Sequence, residues 1–230
     1  MIMNSTVKGI VRMHMRDRMS WLYVPWFIVL SSFVVNLIIA GSIQDDKMVT
    51  GGLASIFVYM MVYGIITVHH TFPFALGFSV RRRDYYTGSM IMIAAVSAAT
   101  GILLTLLSYI ESSSDGWGVR LFFFHLPYIT DGNAFKQFVF FASLMMFLYL
   151  LGFAISSFFR RFGKIGMYTL AIISVIVGTL FFYAVINWEW WRGIFDFFDG
   201  RSAFDLGLLL LPVSVVLSLV AYALLRRSTV

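Results

Sequence analysis

Cysteine is absent from the 230-residue chain. That excludes disulfides, thiolate metal sites and cysteine nucleophiles, and leaves the compartment open. Charge is scarce as well. Asp, Glu, Lys and Arg make up 12% of the residues, against about 25% in a soluble domain. No polar stretch approaches the 50 or so residues that a separate soluble domain needs. A nucleotide-binding domain therefore has no room in this chain, and no Gly-x-x-x-x-Gly-Lys-Ser/Thr phosphate loop occurs in it.

What remains is apolar: 60% of residues are hydrophobic and the mean hydropathy is +0.87. Six apolar runs lie at about 22–43, 53–76, 88–110, 137–159, 165–187 and 205–225. Each is about 32–36 Å long as a helix, enough to cross a core of about 30 Å. The expectation is an all-α polytopic membrane protein, residues 1–230 forming a single transmembrane domain. The first run is long enough to span and lacks a small-residue cleavage site, so it reads as a span rather than a removable signal. Six spans put both termini on one side.

Loop charge orients the six spans. With the amino terminus inside, the inner face carries Lys8, Arg12, Arg16, Arg18, Arg81, Arg82, Arg83, Arg160, Arg161, Lys164, Arg226 and Arg227. Only Lys47, Arg120, Lys136, Arg192 and Arg201 lie outside. With two acids inside (Asp17 and Asp84) and nine outside, the faces carry +10 and −4, which accounts for the net +6. This is the positive-inside bias of short membrane loops, and it removes the need for a nucleic-acid partner.

The central parts of the spans hold no Asp, Glu, Lys or Arg. A charge there would cost roughly 2.5–3.5 kcal/mol and usually marks ion or proton coupling. Its absence argues against a proton- or sodium-driven transporter, a voltage sensor and a proton pump. Enzyme chemistry finds no footing either. The spans offer serines without a partnered His, and no catalytic carboxylate. His69 and His70 are adjacent and point about 100° apart on a helix, so they cannot ligate one ion from one face. An end-of-helix role, favoured by the dipole, is the reading for this pair. No catalytic or metal-binding residue is assigned.

Packing motifs are present. Ser97-x-x-x-Gly101 and Ser174-x-x-x-Gly178 are small-xxx-small pairs that let helices approach closely. Asn36 in the first run reads as a polar contact between helices.

Three further segments stand out. Residues 6–21 place Val7, Val11, Met15 and Met19 in one row, continued by Leu22, and Lys8, Arg12 and Arg16 in a neighbouring row. That is a basic amphipathic helix, serving as a surface anchor or also docking a cytoplasmic partner. Arg81-Arg82-Arg83-Asp84-Tyr85-Tyr86 forms a compact basic connection between the second and third runs, after Pro73 and Gly77. Three arginines serve there as an anchor on anionic lipid, or the segment is a rigid docking element, with Asp84 capping the next helix. Outside, Trp188, Trp190, Trp191, Phe195, Phe197 and Phe198 crowd one short acidic segment. It reads as an aromatic belt, or as short helices dipping back toward the membrane as an outer gate, with breaks at Gly193 and Gly200.

Gly77-Phe-Ser-Val-Arg-Arg-Arg-Asp-Tyr-Tyr86 resembles the "GxsRrdfy" connection of the small six-span permease subunits of bacterial ATP-binding-cassette exporters, the exporter-type (type 2) membrane family. The layout is similar along essentially the whole chain. The resemblance implies that Arg81–Tyr86 forms a coupling helix seated in an ATPase, that residues 6–21 are the connecting helix, and that 188–204 are re-entrant helices. It implies two permease subunits, identical or paired with a sister, in a bacterial cytoplasmic membrane, with two separate ATPase subunits binding ATP and Mg below them. No cofactor is then expected in this chain itself. Uncharged spans suit an apolar or amphipathic cargo, and the family's small members point to a peptide or antimicrobial. The alternative is a six-span sensor, immunity or assembly protein that binds a partner and transports nothing.

Overall fold

A computed structural model describes residues 5–43, 47–126, 133–198 and 200–228. The architecture is all-α. Helix α1 spans Ser5–Arg16, α2 Val24–Ile43, α3 Ala54–Gly77, α4 Arg82–Ser113, α5 Ala134–Asn187, α6 Trp190–Phe198 and α7 Ala203–Arg226. A two-residue parallel pairing, β1 (Met48–Val49) with β2 (Leu121–Phe122), ties together the segments that precede α3 and follow α4.

Among the described residues, five helices are long and apolar enough to cross a membrane. The first includes a wide turn at Met19–Tyr23 ahead of α2, where the Val24 N–H reaches back to the Met19 carbonyl. Pro25 follows directly and has no N–H to continue a regular ladder. The 54-residue α5 is interrupted at Gly163, whose φ of 65° and ψ of −164° are not helical. Only glycine adopts such a backbone readily. The break falls between the expected runs 137–159 and 165–187.

Close helix crossings hold the bundle. A side chain at Gly64 of α3 would meet the Tyr149 carbonyl of α5, and one at Gly152 of α5 would meet the Met61 carbonyl of α3. The two backbones therefore touch across this pair. Gly101 of α4 lies against Ala142 of α5, and Gly207 of α7 against Phe140. Around these crossings Met60, Tyr63, Phe72, Tyr85, Ile93 and Phe153 are buried. Three hydroxyls inside the bundle are satisfied locally: Thr67 donates to the Tyr63 carbonyl, Thr105 to Gly101 and Ser157 to Phe153. This back-bonding lets a polar side chain sit in an apolar helix at little cost.

Three expectations are corrected here. Asn36 donates to the Ser32 carbonyl of its own helix, so the contact is within α2 and not between helices. Ser174 and Gly178 mediate no crossing within the chain: no residue from 164 to 198 with a described side chain is buried, and nothing lies within 4 Å of a Cβ built on Gly178. The amphipathic segment does not run to residue 21 as one helix, because α1 stops at Arg16. Its buried row is Val7, Ile10 and His14, while Met15 and Met19 are exposed. Gly88 explains the choice: it gives Ile10 a place to pack flush on α4.

Candidate coupling surface

The arginine segment is the first turn of a long helix. Ser79, with a φ of 56°, turns the chain after α3, and Arg81 is extended before α4 starts at Arg82. Asp84 occupies the third helical position. It contributes a negative charge where the helix dipole favours one, but no side-chain cap forms at this terminus. The expected capping role of Asp84 is thus replaced by a purely electrostatic one.

The six residues divide by direction. Tyr85 is fully buried, its hydroxyl 2.8 Å from Thr71 Oγ1 and its ring 5.2 Å from Phe72. Tyr86 donates to the Ser218 carbonyl at 3.1 Å, and its ring lies tilted against that of Tyr222 of α7, 4.8 Å between centroids. Arg82 donates to the Arg226 carbonyl at 2.8 Å, against the carboxyl end of α7, where a cation is favoured. Arg81 and Arg83 point outward and are exposed. The segment is therefore anchored on one side and presents two guanidiniums on the other.

Helix α1 joins the same base. His14 Nε2 lies 3.1 Å from Ser89 Oγ, a contact buried on both sides. Burial pushes the His14 imidazole down to about 4, only partly opposed by the nearby Asp17 carboxylate. Lys8, Arg12 and Arg16 remain exposed on the opposite side of α1. His69 and His70 are exposed, but α3 continues two turns past them to Gly77, so the expected end-of-helix role, which the dipole supports only in the last turn, is corrected. Their rings lie 5.0 Å apart, and Arg160 donates to the His69 carbonyl. Among the described residues no group of three or more His, Asp and Glu is arranged to hold a metal ion.

At the far end of the bundle, α6 presents its aromatic residues openly. Trp188, Trp190, Trp191, Phe195, Phe197 and Phe198 are all exposed. Trp190, Phe197 and Phe198 line a cavity of about 620 Å³ together with Phe181, Gly193 and Glu189. Arg201 covers the Phe197 ring at 3.7 Å, and Arg192 pairs with Glu189 at 3.3 Å. Gly193 lies inside α6 and breaks nothing, contrary to expectation. The chain turns instead at Glu189, with a φ of 53°, and at Gly200, with a φ of 76°.

One residue escaped the sequence reading. Glu111, near the end of α4, is fully buried. Its carboxylate accepts the backbone N–H groups of Phe123, Phe124 and His125 at 2.6–3.1 Å and the Trp117 indole N–H at 2.8 Å. Around it Trp117, Phe123 and Phe124 surround the Phe33 ring of α2. The carboxylate thereby stitches an aromatic cap onto the carboxyl end of α4.

No family model, curated protein or solved structure matches this chain.

Proposed function

We propose that this chain is the membrane-spanning subunit of an ATP-binding-cassette exporter, with six spans, both termini in the cytoplasm and two copies or a sister pair enclosing the path. The observation that carries the reading is the joint base of α1 and α4. Arg82 and Tyr86 fix the arginine segment to α7, while His14 and Ile10 fix α1 to α4, so force applied there enters several helices together. The exposed Arg81 and Arg83, with Lys8, Arg12 and Arg16, give an ATPase subunit a cationic surface to grip. Rigid packed elements transmit displacement because cores are poorly compressible.

ATP hydrolysis then belongs to the partner, and α6 with its cavity acts as a re-entrant outer gate for an apolar or amphipathic cargo. The break at Gly163 divides α5 into the fourth and fifth spans. A bacterial cytoplasmic membrane is the setting, and the cargo class rests on the uncharged span centres.

A mild-detergent pull-down of the tagged chain tests this reading, run beside an Arg81/Arg82/Arg83→Glu variant first shown to insert normally. A soluble ATPase that co-purifies with the wild type and is lost from the variant supports it. If properly inserted wild type brings down no ATPase, the exporter reading fails and a non-transporting sensor or immunity protein takes its place.

A further inference from the structure

Between α1 and the end of α3 lies an open groove of about 270 Å³, walled by Gly9, Ile10 and Met13 on one side and Phe74, Phe78 and Val80 on the other. We propose that this groove binds one anionic phospholipid, its acyl chain in the groove and its phosphate on Arg12 and Arg16.

The apolar half of the argument starts from Gly9. Glycine inside a helix is destabilising relative to alanine, so a helical glycine asks for a packing reason. Gly88, Gly64 and Gly152 have one within the chain, because a side chain on each would strike a neighbouring helix. Gly9 has none: nothing lies within 4 Å of a Cβ built there. The missing side chain instead deepens the groove. Phe74 and Phe78, in contact at 4.8 Å, border it while remaining 56% and 70% exposed. Paired exposed aromatic rings beside an apolar channel suit a hydrocarbon chain.

The polar half is set by helical spacing. Arg12 follows Gly9 by three residues and Arg16 follows Met13 by three, so each guanidinium stands on the turn beside the groove wall. Both are exposed, and among the described residues neither forms an ion pair. The nearest acid along the helix, Asp17, accepts a hydrogen bond from Ser20. An amphiphile with an apolar tail and an anionic head satisfies both halves at once. An acidic protein surface matches only the second. The proposal needs α3 to cross a membrane, and it assigns Arg12 and Arg16 to the lipid, which leaves Lys8, Arg81 and Arg83 as the exposed cations for the ATPase proposed above.

The test is native mass spectrometry of the purified full chain in mild detergent, titrated with phosphatidylglycerol or with phosphatidylcholine of the same acyl chains. Wild type should retain phosphatidylglycerol at least fivefold better. Gly9→Phe, which fills open space, and Arg12→Gln/Arg16→Gln should each lower that retention at least fivefold. Arg192→Gln/Arg201→Gln, at the other end of the molecule, should leave it unchanged. Should Gly9→Phe lose monodispersity, Gly9→Leu takes its place, and the rise in thermal midpoint that phosphatidylglycerol produces provides a second readout. Equal retention of the two lipids overturns the proposal, because the arginines then select no anionic head. Loss in the arginine variant without loss in the groove variant also overturns it, leaving only diffuse counter-charge. Loss in the Arg192/Arg201 control overturns it in the same way.

Discussion

Replacing Glu111 with glutamine removes one of the two acceptor oxygens shared by four donors, two of them on buried residues and two on half-buried ones. The carboxylate takes the N–H groups of Phe123, Phe124 and His125 through both of its oxygens, and the Trp117 indole besides. Glutamine keeps one acceptor oxygen and turns an NH2 group toward donors that cannot accept from it. At least one or two of the four donors then lose their partner, at about 1–3 kcal/mol each. The expected cost is about 2–4 kcal/mol, confined to the cap because its contacts gather around Phe33 and Gly52. Hydrogen exchange read by mass spectrometry reports it directly: amides of 123–125 should exchange about 30- to 1000-fold faster in Glu111→Gln, at a tenfold change per 1.4 kcal/mol. Amides of α3 around Tyr63 should be unmoved. Glu189→Gln, an exposed acid in a surface pair, is the control and should change nothing at the cap. Exchange at 123–125 within threefold of wild type would refute the view that this carboxylate holds the cap.

Other outcomes follow from the packing. Gly64→Ala and Gly152→Ala each force α3 and α5 apart at a backbone contact; each should cost about 2–3 kcal/mol and lower the thermal midpoint in detergent. Gly9→Ala has open space and should be neutral or stabilising by about 0.5–1 kcal/mol on the same measurement. The His14 imidazole, held down to about 4 from an ordinary 6.5, is neutral when docked and binds a proton more readily when α1 is released. Docking is therefore strongest above pH 6.5 and weakens as pH falls toward 4, by as much as about 3 kcal/mol in total. A fluorophore on a single cysteine introduced at Thr6, in a chain with no other cysteine, should report release in that window. His14→Gln should flatten the response.

Hydropathy located the helices well, because a long apolar run in a chain this poor in charge has few other fates. The second run, 53–76, differs from α3 by one residue at each end, and the break before 165 coincides with Gly163. The start of α4 was missed by six residues, since Arg82 to Thr87 are polar enough to resemble a loop. Their helicity comes from the tyrosines: Tyr85 and Tyr86 bury their rings against α3 and α7 only if the helix begins early. The face of α1 was misread for a related reason. His14 scores as polar, yet Ser89 and a glycine on another helix make its burial possible. In the sequence Glu111 reads as one more acid in an outer loop. Nothing local distinguishes it, because its partners lie 6 to 14 residues away across an irregular turn. The signal that could have found it is position: a lone acid at the end of an apolar helix, ahead of a Trp and three consecutive phenylalanines at 122–124.

Helix α4 has 32 residues and no proline or break, which makes it about 48 Å long and roughly 18 Å longer than the hydrocarbon it would cross. Its arginine-bearing foot and its Glu111 end are thus two arms of one lever. The tight contact of Gly101 with Ala142 sits between them, about 29 Å from the foot and about 18 Å from the far end at 1.5 Å per residue. A rocking of 5° about that point would swing the foot by about 2.5 Å and the aromatic cap by about 1.6 Å in the opposite sense. Water on one side of the bilayer would then feel what is done on the other without any charge having to enter the membrane.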